Sequence, residues 1–363
     1  MTRLSDYIGS RDNNFNLLRF IAAAAVLYSH SFPLYGWDAA EPLKQLGIGI
    51  DFGSLAVDIF FFTSGLLIAG SFYARNDLKA FAKARVMRIY PALIVAVMLT
   101  VFVLGPFFTD SSMGEYFGER DTWKYLERNA TLIANVKFSL PGVFTDLPYL
   151  GYMDKGVVNG SLWTLPYEVK SYAILAFIAW GLNKIQKGKE KDILKPCYLI
   201  LAVAGVTFYV ANHFKGFSDS QGIRLYTFFF LGSCAYVWRK HIVFSGLTAL
   251  VIAIFLVLAT LYLKSGVVPI YAVGMPYLIL YLAYIPKGVI RQFNKLGDYS
   301  YGIYIYAFPI QQSVLYLNPN LSFGMYIAYS ALGTLAMAIF SWHVVEKRCL
   351  KFRRHGRNRE KPA

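Results

Sequence analysis

"FGSLAVDIFFFTSGLLIAGS", residues 52–71, decides what kind of protein this is, because its twenty residues carry a single charge, Asp58. As a helix, at about 1.5 Å per residue, they reach roughly 30 Å, the hydrocarbon thickness of a bilayer. An isolated carboxylate at such depth is costly and needs a partner or water. Ser64-Gly65 and Gly70-Ser71 in the same run are small residues that let helices approach closely, a structural role.

Working outward, comparable apolar runs fall at 15–35, 53–73, 89–108, 161–181, 197–212, 222–238, 242–263, 267–286, 299–317 and 323–344. The 363 residues are 56% hydrophobic and 17% aromatic, with only 16% charged. A soluble domain is richer in charge. The expected fold class is therefore all-α: a polytopic membrane bundle of about ten transmembrane helices. The first run follows a polar stretch with Asp6, Arg11 and Asp12 and shows no small-residue cleavage site, so a retained helix is expected rather than a signal peptide. No internal repeat is visible, which weakens a transporter built on inverted repeats.

The net charge of +15 would suggest nucleic-acid binding in a soluble protein. Here the cations sit in short segments between apolar runs, at 74–88, 183–195, 239–241, 287–295 and 346–361. That pattern excludes nucleic acid as the partner and indicates the positive-inside rule. Both termini are expected in the cytoplasm, in a single transmembrane domain over 1–350 with a basic cytoplasmic tail at 351–363. The long connection 109–160 is expected outside, as a folded cap. Its aromatic residues (Tyr116, Phe117, Trp123, Tyr125, Tyr149, Tyr152) either stack on sugar rings or pack against one another, with packing favoured. Cys197, Cys234 and Cys349 are widely spaced and form neither a metal motif nor a disulfide framework, so no metal is expected.

Polar residues interrupt the apolar runs at four places. In "LLRFIAAAAVLYSH" (17–30), Arg19 and His30 are eleven residues apart, close to three whole turns, and share a face of the first helix. Each alone reads equally well as an interfacial residue. Asp58 is the second insertion. The third is "NGSLWTLPYEVKSY" (159–172), where Glu168 and Lys170, two apart, do not face each other. Glu168 must look for a partner at its own depth, where His30 and Asp58 also lie. Trp163 reads as an interfacial belt residue. The fourth is "ARVMRIYP" (84–91), with Arg85 and Arg88 three apart at the inner mouth of the third helix. Two guanidinium forks suit a phosphate-bearing ligand, although lipid headgroups satisfy the same pair. Arginines on the inner side and acid and imidazole on the outer side suggest a phosphate-bearing donor whose reactive end meets a general base.

These motifs, in this order, resemble the acyltransferase-3 family of integral membrane acyltransferases. The matching stretches are "RFIAAAAVLYSH", "SLAVDIFFFTSGLLIAGS", "ARVMRIYP", "NGSLWTLPYEVKSY", "LGDYSYGIYIYAFPIQQ" (296–312) and "HVVEKRCLK" (343–351), and they span nearly the whole chain. The resemblance implies transfer of an acyl group, usually acetyl, from cytoplasmic acyl-CoA to a hydroxyl of a surface or secreted polysaccharide. It also implies a bacterial inner-membrane location beside the envelope polysaccharide synthesis proteins. By resemblance His30 is the catalytic histidine, Arg85 and Arg88 contact the CoA phosphates, and Arg19, Asp58 and Glu168 belong to the site. Many members carry a histidine where this chain has Ala307, so no role for that histidine carries over.

On that reading acetyl-CoA is a donor substrate and no cofactor is permanently bound. His30 either takes the proton of the acceptor hydroxyl or carries the acyl group itself. Glu168 or Asp58 orients it, and Trp163, Tyr167 and Tyr172 are candidates for stabilising the oxyanion. The alternative from another class is a proton-coupled transporter or flippase of an envelope glycan precursor, with the intramembrane His, Asp and Glu as a proton relay. A non-enzymatic subunit of an envelope-synthesis complex is a third reading.

Overall fold

The computed structural model describes residues 2–74, 76–151, 156–186, 193–216 and 220–351. Tyr152, the basic stretch 187–192 and the tail from 352 onward lie outside the described residues. Among those described there are helices and no strands. The long helices are α1 (Phe15–Leu34), α2 (Phe52–Tyr73), α3 (Leu78–Phe108), α4 (Arg120–Thr131), α5 (Leu165–Gln186), α6 (Leu194–Lys215), α7 (Ser220–Val237), α8 (Gly246–Tyr262), α9 (Val267–Tyr284), α10 (Ser300–Leu317) and α11 (Phe323–Lys351). Each apolar run of the sequence coincides with one of them. A π-helical stretch interrupts α3 at Thr100–Leu104 and α11 at Ser341–Glu346.

Among the described residues six helices are long and apolar enough to cross a membrane by length and composition: α1, α2, α3, α6, the α9 region and α11. The protein is a multi-pass integral membrane protein. α8 is apolar but only 17 residues long. The other helices that fall short, α5, α7 and α10, hold Glu168 and Lys170, Arg224, and the Gln311-Gln312 pair. Such polar groups lower a helix's mean hydropathy, and in a membrane they are tolerated where the helix faces protein instead of lipid.

The chain forms two compact units. One comprises residues 1–22, 42–81 and 170–297; the other comprises 23–41, 82–169 and 298–363. In the first unit α2 packs on α7 with almost no spacing. A Cβ on Gly65 would stand 1.9 Å from the Phe229 carbonyl oxygen, and one on Gly232 would stand 2.0 Å from that of Phe62. Ser233 Oγ donates to the carbonyls of Gly65 and Phe229 at 3.3 and 3.1 Å. Small residues thus do the work expected of them, letting backbones touch. Asp51 caps α2, its carboxylate accepting from Ser54 N–H. Asn14, just before α1, donates to the carbonyls of Leu282 and Pro286 at 2.9 Å each, fixing that end to α9.

In the second unit α10 is the core. All but a few of its residues are buried, and a Cβ on Gly302 would stand 2.8 Å from Ala338 Cα of α11. The connection 109–160 is folded, but it does not stay at the end of α3. Tyr116 Oη donates to Val101 O at 2.9 Å, Trp123 packs on Phe102 at 6.2 Å, and Tyr90 Oη donates to Thr131 O at 2.9 Å. These contacts run down α3 as α4 runs forward, so α4 lies antiparallel beside α3 and ends level with Tyr90. Beyond it Asn129 clasps the Lys137 backbone, donating to its C=O at 2.8 Å and accepting from its N–H at 2.9 Å. Tyr116 and Tyr125 are fully buried, whereas Trp123 and Tyr149 are exposed. Packing is the role of the first two.

Candidate functional site

α10 organises the second unit around two short segments. The first is the turn of α1 that carries His30. Gln311 Nε2 donates to Leu27 O at 2.9 Å and to Ser31 Oγ at 2.8 Å, and Ser31 Oγ donates to Leu27 O at 2.9 Å. Phe308 lies edge-on to the His30 ring, with centroids 5.4 Å apart. The imidazole is half-buried, and its Nδ1 is shielded from solvent.

The second segment is 157–168, which leads into Glu168. Gln312 Nε2 donates to Val157 O at 2.8 Å, and Asn159 Nδ2 donates to Ile305 O at 2.9 Å. Tyr304 Oη donates to Ser161 O at 2.8 Å and meets Thr164 Oγ1 at 2.6 Å. A Cβ on Gly160 would stand 2.6 Å from the Phe308 ring, so glycine is needed for this approach. Glu168 sits in the first turn of α5, where the helix dipole favours a carboxylate, and is close enough to Tyr304 for its charge to act there. One helix therefore holds both the imidazole-bearing turn and the segment 157–164 that leads to Glu168, and Phe308 packs on the His30 ring and lies close to Gly160. Trp163 and Tyr167 pack edge to face at 5.9 Å on the same segment.

Both arginines of α3 also lie in this unit. Arg85 is half-buried with its Nε shielded. Arg88 meets two carboxylates, with Nη2 2.5 Å from Asp298 Oδ2 and Nη1 3.2 Å from Glu346 Oε2.

Three expected site residues lie in the first unit. Asp58 is fully buried, 3.4 Å from Arg224 Nε, and accepts from Tyr271 Oη at 2.8 Å. This is the partner its isolation in the sequence demanded. Arg19 stacks over the Phe60 ring of α2 at 5.5 Å. Tyr172 shares a 2.9 Å hydrogen bond with Ser64 and packs on Phe229, so here it serves helix packing.

Sequence reasoning overlooked Arg224, Asp298, Glu346 and Gln311. A signal existed for Arg224: it is a lone cation in an apolar run, opposite in sign to the lone Asp58. Asp298 and Glu346 stand in stretches dominated by basic residues, where an acid draws no notice. Gln311 carries no charge.

The family model described as an acyltransferase domain matches residues 12–345. A protein of Shigella phage Sf6 described as an O-acetyl transferase is 29% identical over 354 residues, spanning 94% of this chain and 96% of its own. Nodulation protein 10 of Rhizobium leguminosarum bv. viciae is 25% identical over 369 residues, spanning 96% of each chain. No solved structure matches. A family match over nearly the whole length makes this helical membrane protein a member of the acyltransferase-3 family.

Proposed function

We propose that this membrane acyltransferase moves an acetyl group from cytoplasmic acetyl-CoA to a hydroxyl of a surface or secreted polysaccharide. It acts in the inner (plasma) membrane, crossing it about ten times with both termini on the cytoplasmic side. The observation that carries this reading is α10's double grip, on the His30 turn through Gln311 and Phe308, and on the segment before Glu168 through Tyr304 and Asn159. A general base has to be held by a rigid neighbour, and a carboxylate nearby raises its basicity. The O-acetyl transferase name of the phage relative supports acetyl as the group and oxygen as the acceptor.

His30 takes the acceptor's hydroxyl proton as the oxygen attacks the thioester carbonyl. A tetrahedral oxyanion forms, the C–S bond breaks, and the leaving CoA thiolate collects the proton from the imidazolium. Ester and free CoA thiol result. A thiolate, with a thiol pKa near 8.5, leaves more readily than an alkoxide, which drives transfer to oxygen. Glu168 steadies the imidazolium, and Arg85 takes the donor's phosphates. Trp163 and Tyr167 stand on the Glu168 segment as candidates for the oxyanion. The roles of Arg19 and Asp58, in the other unit, rest on the family resemblance alone.

The test is the base-labile O-acetyl content of the host's polysaccharides, read by mass spectrometry in cells carrying the wild type, a deletion or His30→Ala at equal membrane abundance. Loss in both the deletion and His30→Ala is the expected result. Loss in the deletion alone would remove His30 from the chemistry, and no loss in either would discard the glycan acceptor.

A further inference from the structure

Arg88 was expected beside Arg85 at the donor's phosphates, but its surroundings suit a different task. Each terminal nitrogen of its guanidinium is taken by a separate carboxylate, Asp298 at 2.5 Å and Glu346 at 3.2 Å. Each acid is held in turn by a neighbouring serine: Ser300 Oγ donates to Asp298 Oδ1 at 2.5 Å, and Ser341 Oγ donates to Glu346 Oε1 at 3.1 Å. Glu346 is only 2% exposed. The Tyr301 ring lies 5.7 Å under the guanidinium, and its hydroxyl donates to Ile89 O at 2.9 Å, beside Arg88 on α3.

The guanidinium of Arg88 is thus already engaged by two carboxylates. A phosphate approaching Arg88 would meet two anions already on its fork, and like charges this close in a poorly solvated site repel strongly. Displacing Glu346 would strand a buried carboxylate, which is costlier still. The three charges come from α3, from the residue before the Tyr299 cap of α10, and from the π-helical stretch of α11. They tie the start of α10 and the last turns of α11 to α3, and α10 carries Phe308 and Gln311 to His30.

We propose that Arg88 is a positioning residue rather than a phosphate ligand: with Asp298 and Glu346 it locks the register of α10 against α3 and so sets the placement of His30. This inference rests on the acetyl-CoA reading for its kinetic arm only. The lock itself is an ion-pair geometry that does not depend on the donor.

The experiment uses purified full-length protein in nanodiscs with the host's de-O-acetylated polysaccharide as acceptor and two donors, acetyl-CoA and S-acetylpantetheine, which carries the same thioester without phosphates. Arg88→Ala and Glu346→Gln should each lower kcat about a hundredfold with either donor, as a misplaced base does, and leave the KM for acetyl-CoA unchanged. Arg85→Ala should raise that KM. Glu346→Gln is the sharpest variant. If Arg88 bound phosphate, freeing its fork would tighten acetyl-CoA binding. A lower KM in Glu346→Gln, or a raised KM confined to acetyl-CoA in Arg88→Ala, overturns the proposal.

Thermal unfolding without donor provides the second arm. Arg88→Ala, Glu346→Gln and their double variant should lower Tm by similar amounts, since all break one lock. Additive losses would overturn the lock. If the wild type neither turns over nor binds either donor, the acetyl-CoA reading falls, while this arm still decides the lock.

Discussion

The two units each hold a cluster of charges where the sequence is otherwise apolar, and the clusters are built differently. In the first, one acid faces one base: Asp58 at 0% exposure with Arg224 at 3.4 Å, Tyr271 on the other carboxylate oxygen, and Tyr209 close by. It is charge-balanced and lies within helices that meet backbone to backbone at Gly65 and Gly232. In the second, Arg88 serves two acids, its side chain is 17% exposed, and the cluster ties the start of α10 and the last turns of α11 to α3. A balanced, dry pair holds a bundle together; a guanidinium shared by two acids fixes one helix against two others. An ionisable residue inside a membrane protein therefore has two tasks open to it besides chemistry.

The largest expected effect comes from breaking the balanced pair. Asp58→Leu leaves Arg224 buried and unpaired and should cost about 3–5 kcal/mol, read as loss of folded protein on detergent extraction. Asp58→Leu with Arg224→Leu should recover most of that loss. The double variant also sharpens the comparison, because it separates stability from chemistry. If it folds and still acetylates, Asp58 belongs to the architecture; if it folds and is inactive, Asp58 belongs with His30.

Next comes Gly65→Ala. Its Cβ has no flexible neighbour to push aside, only the Phe229 carbonyl, and it should cost roughly 2–3 kcal/mol of stability. A Tm equal to wild type would show that α2 and α7 have slack, and the contrast with the second unit would lose its footing.

Gln311→Leu removes both donations to the α1 turn and should cost about 1–2 kcal/mol. Its effect on O-acetylation should exceed its effect on Tm, since the lost contacts hold the His30 turn. Equal proportional losses would make Gln311 a packing residue only.

Smallest is the capping box at the start of the short helix Met113–Gly118, where the Ser112 side chain and the Glu115 carboxylate satisfy each other's backbone N–H groups. Ser112→Ala should cost about 1 kcal/mol. The Ser112 hydroxyl, then its backbone N–H, holds the Glu115 carboxyl below the usual carboxylate range. A depressed folded value means that this contribution is present above the unfolded pKa, near 4.3, and is lost as pH falls through the folded value. The Tm gap between wild type and Glu115→Gln should therefore close on acidification. A gap that widens instead would reverse the assignment.

Much of the helix placement was legible because hydropathy is a local quantity: each run of apolar residues declares its own helix. Polar insertions were legible as problems for the same reason. Asp58 announced that it needed a partner, and Glu168 that Lys170 was not it. The partners were not legible, since Arg224 stands on a helix from a distant part of the chain and nothing local says which surfaces meet. The connection 109–160 was legible as a folded segment, but not which surface it packs on: α4 lies along α3 with Tyr116 and Tyr125 turned inward.

The sequence by itself determined that this is a multi-pass membrane protein of the acyltransferase-3 family, and which of its residues were too costly in an apolar run to be there by chance. Tertiary structure alone decided how each is employed: Asp58 against Arg224, Tyr172 against Ser64, Arg88 between Asp298 and Glu346, His30 against Phe308. The reason is one of range. The cost of burying a charge is set by the residue and its immediate surroundings, so the sequence displays it. What offsets that cost comes from side chains brought together only when the helices pack.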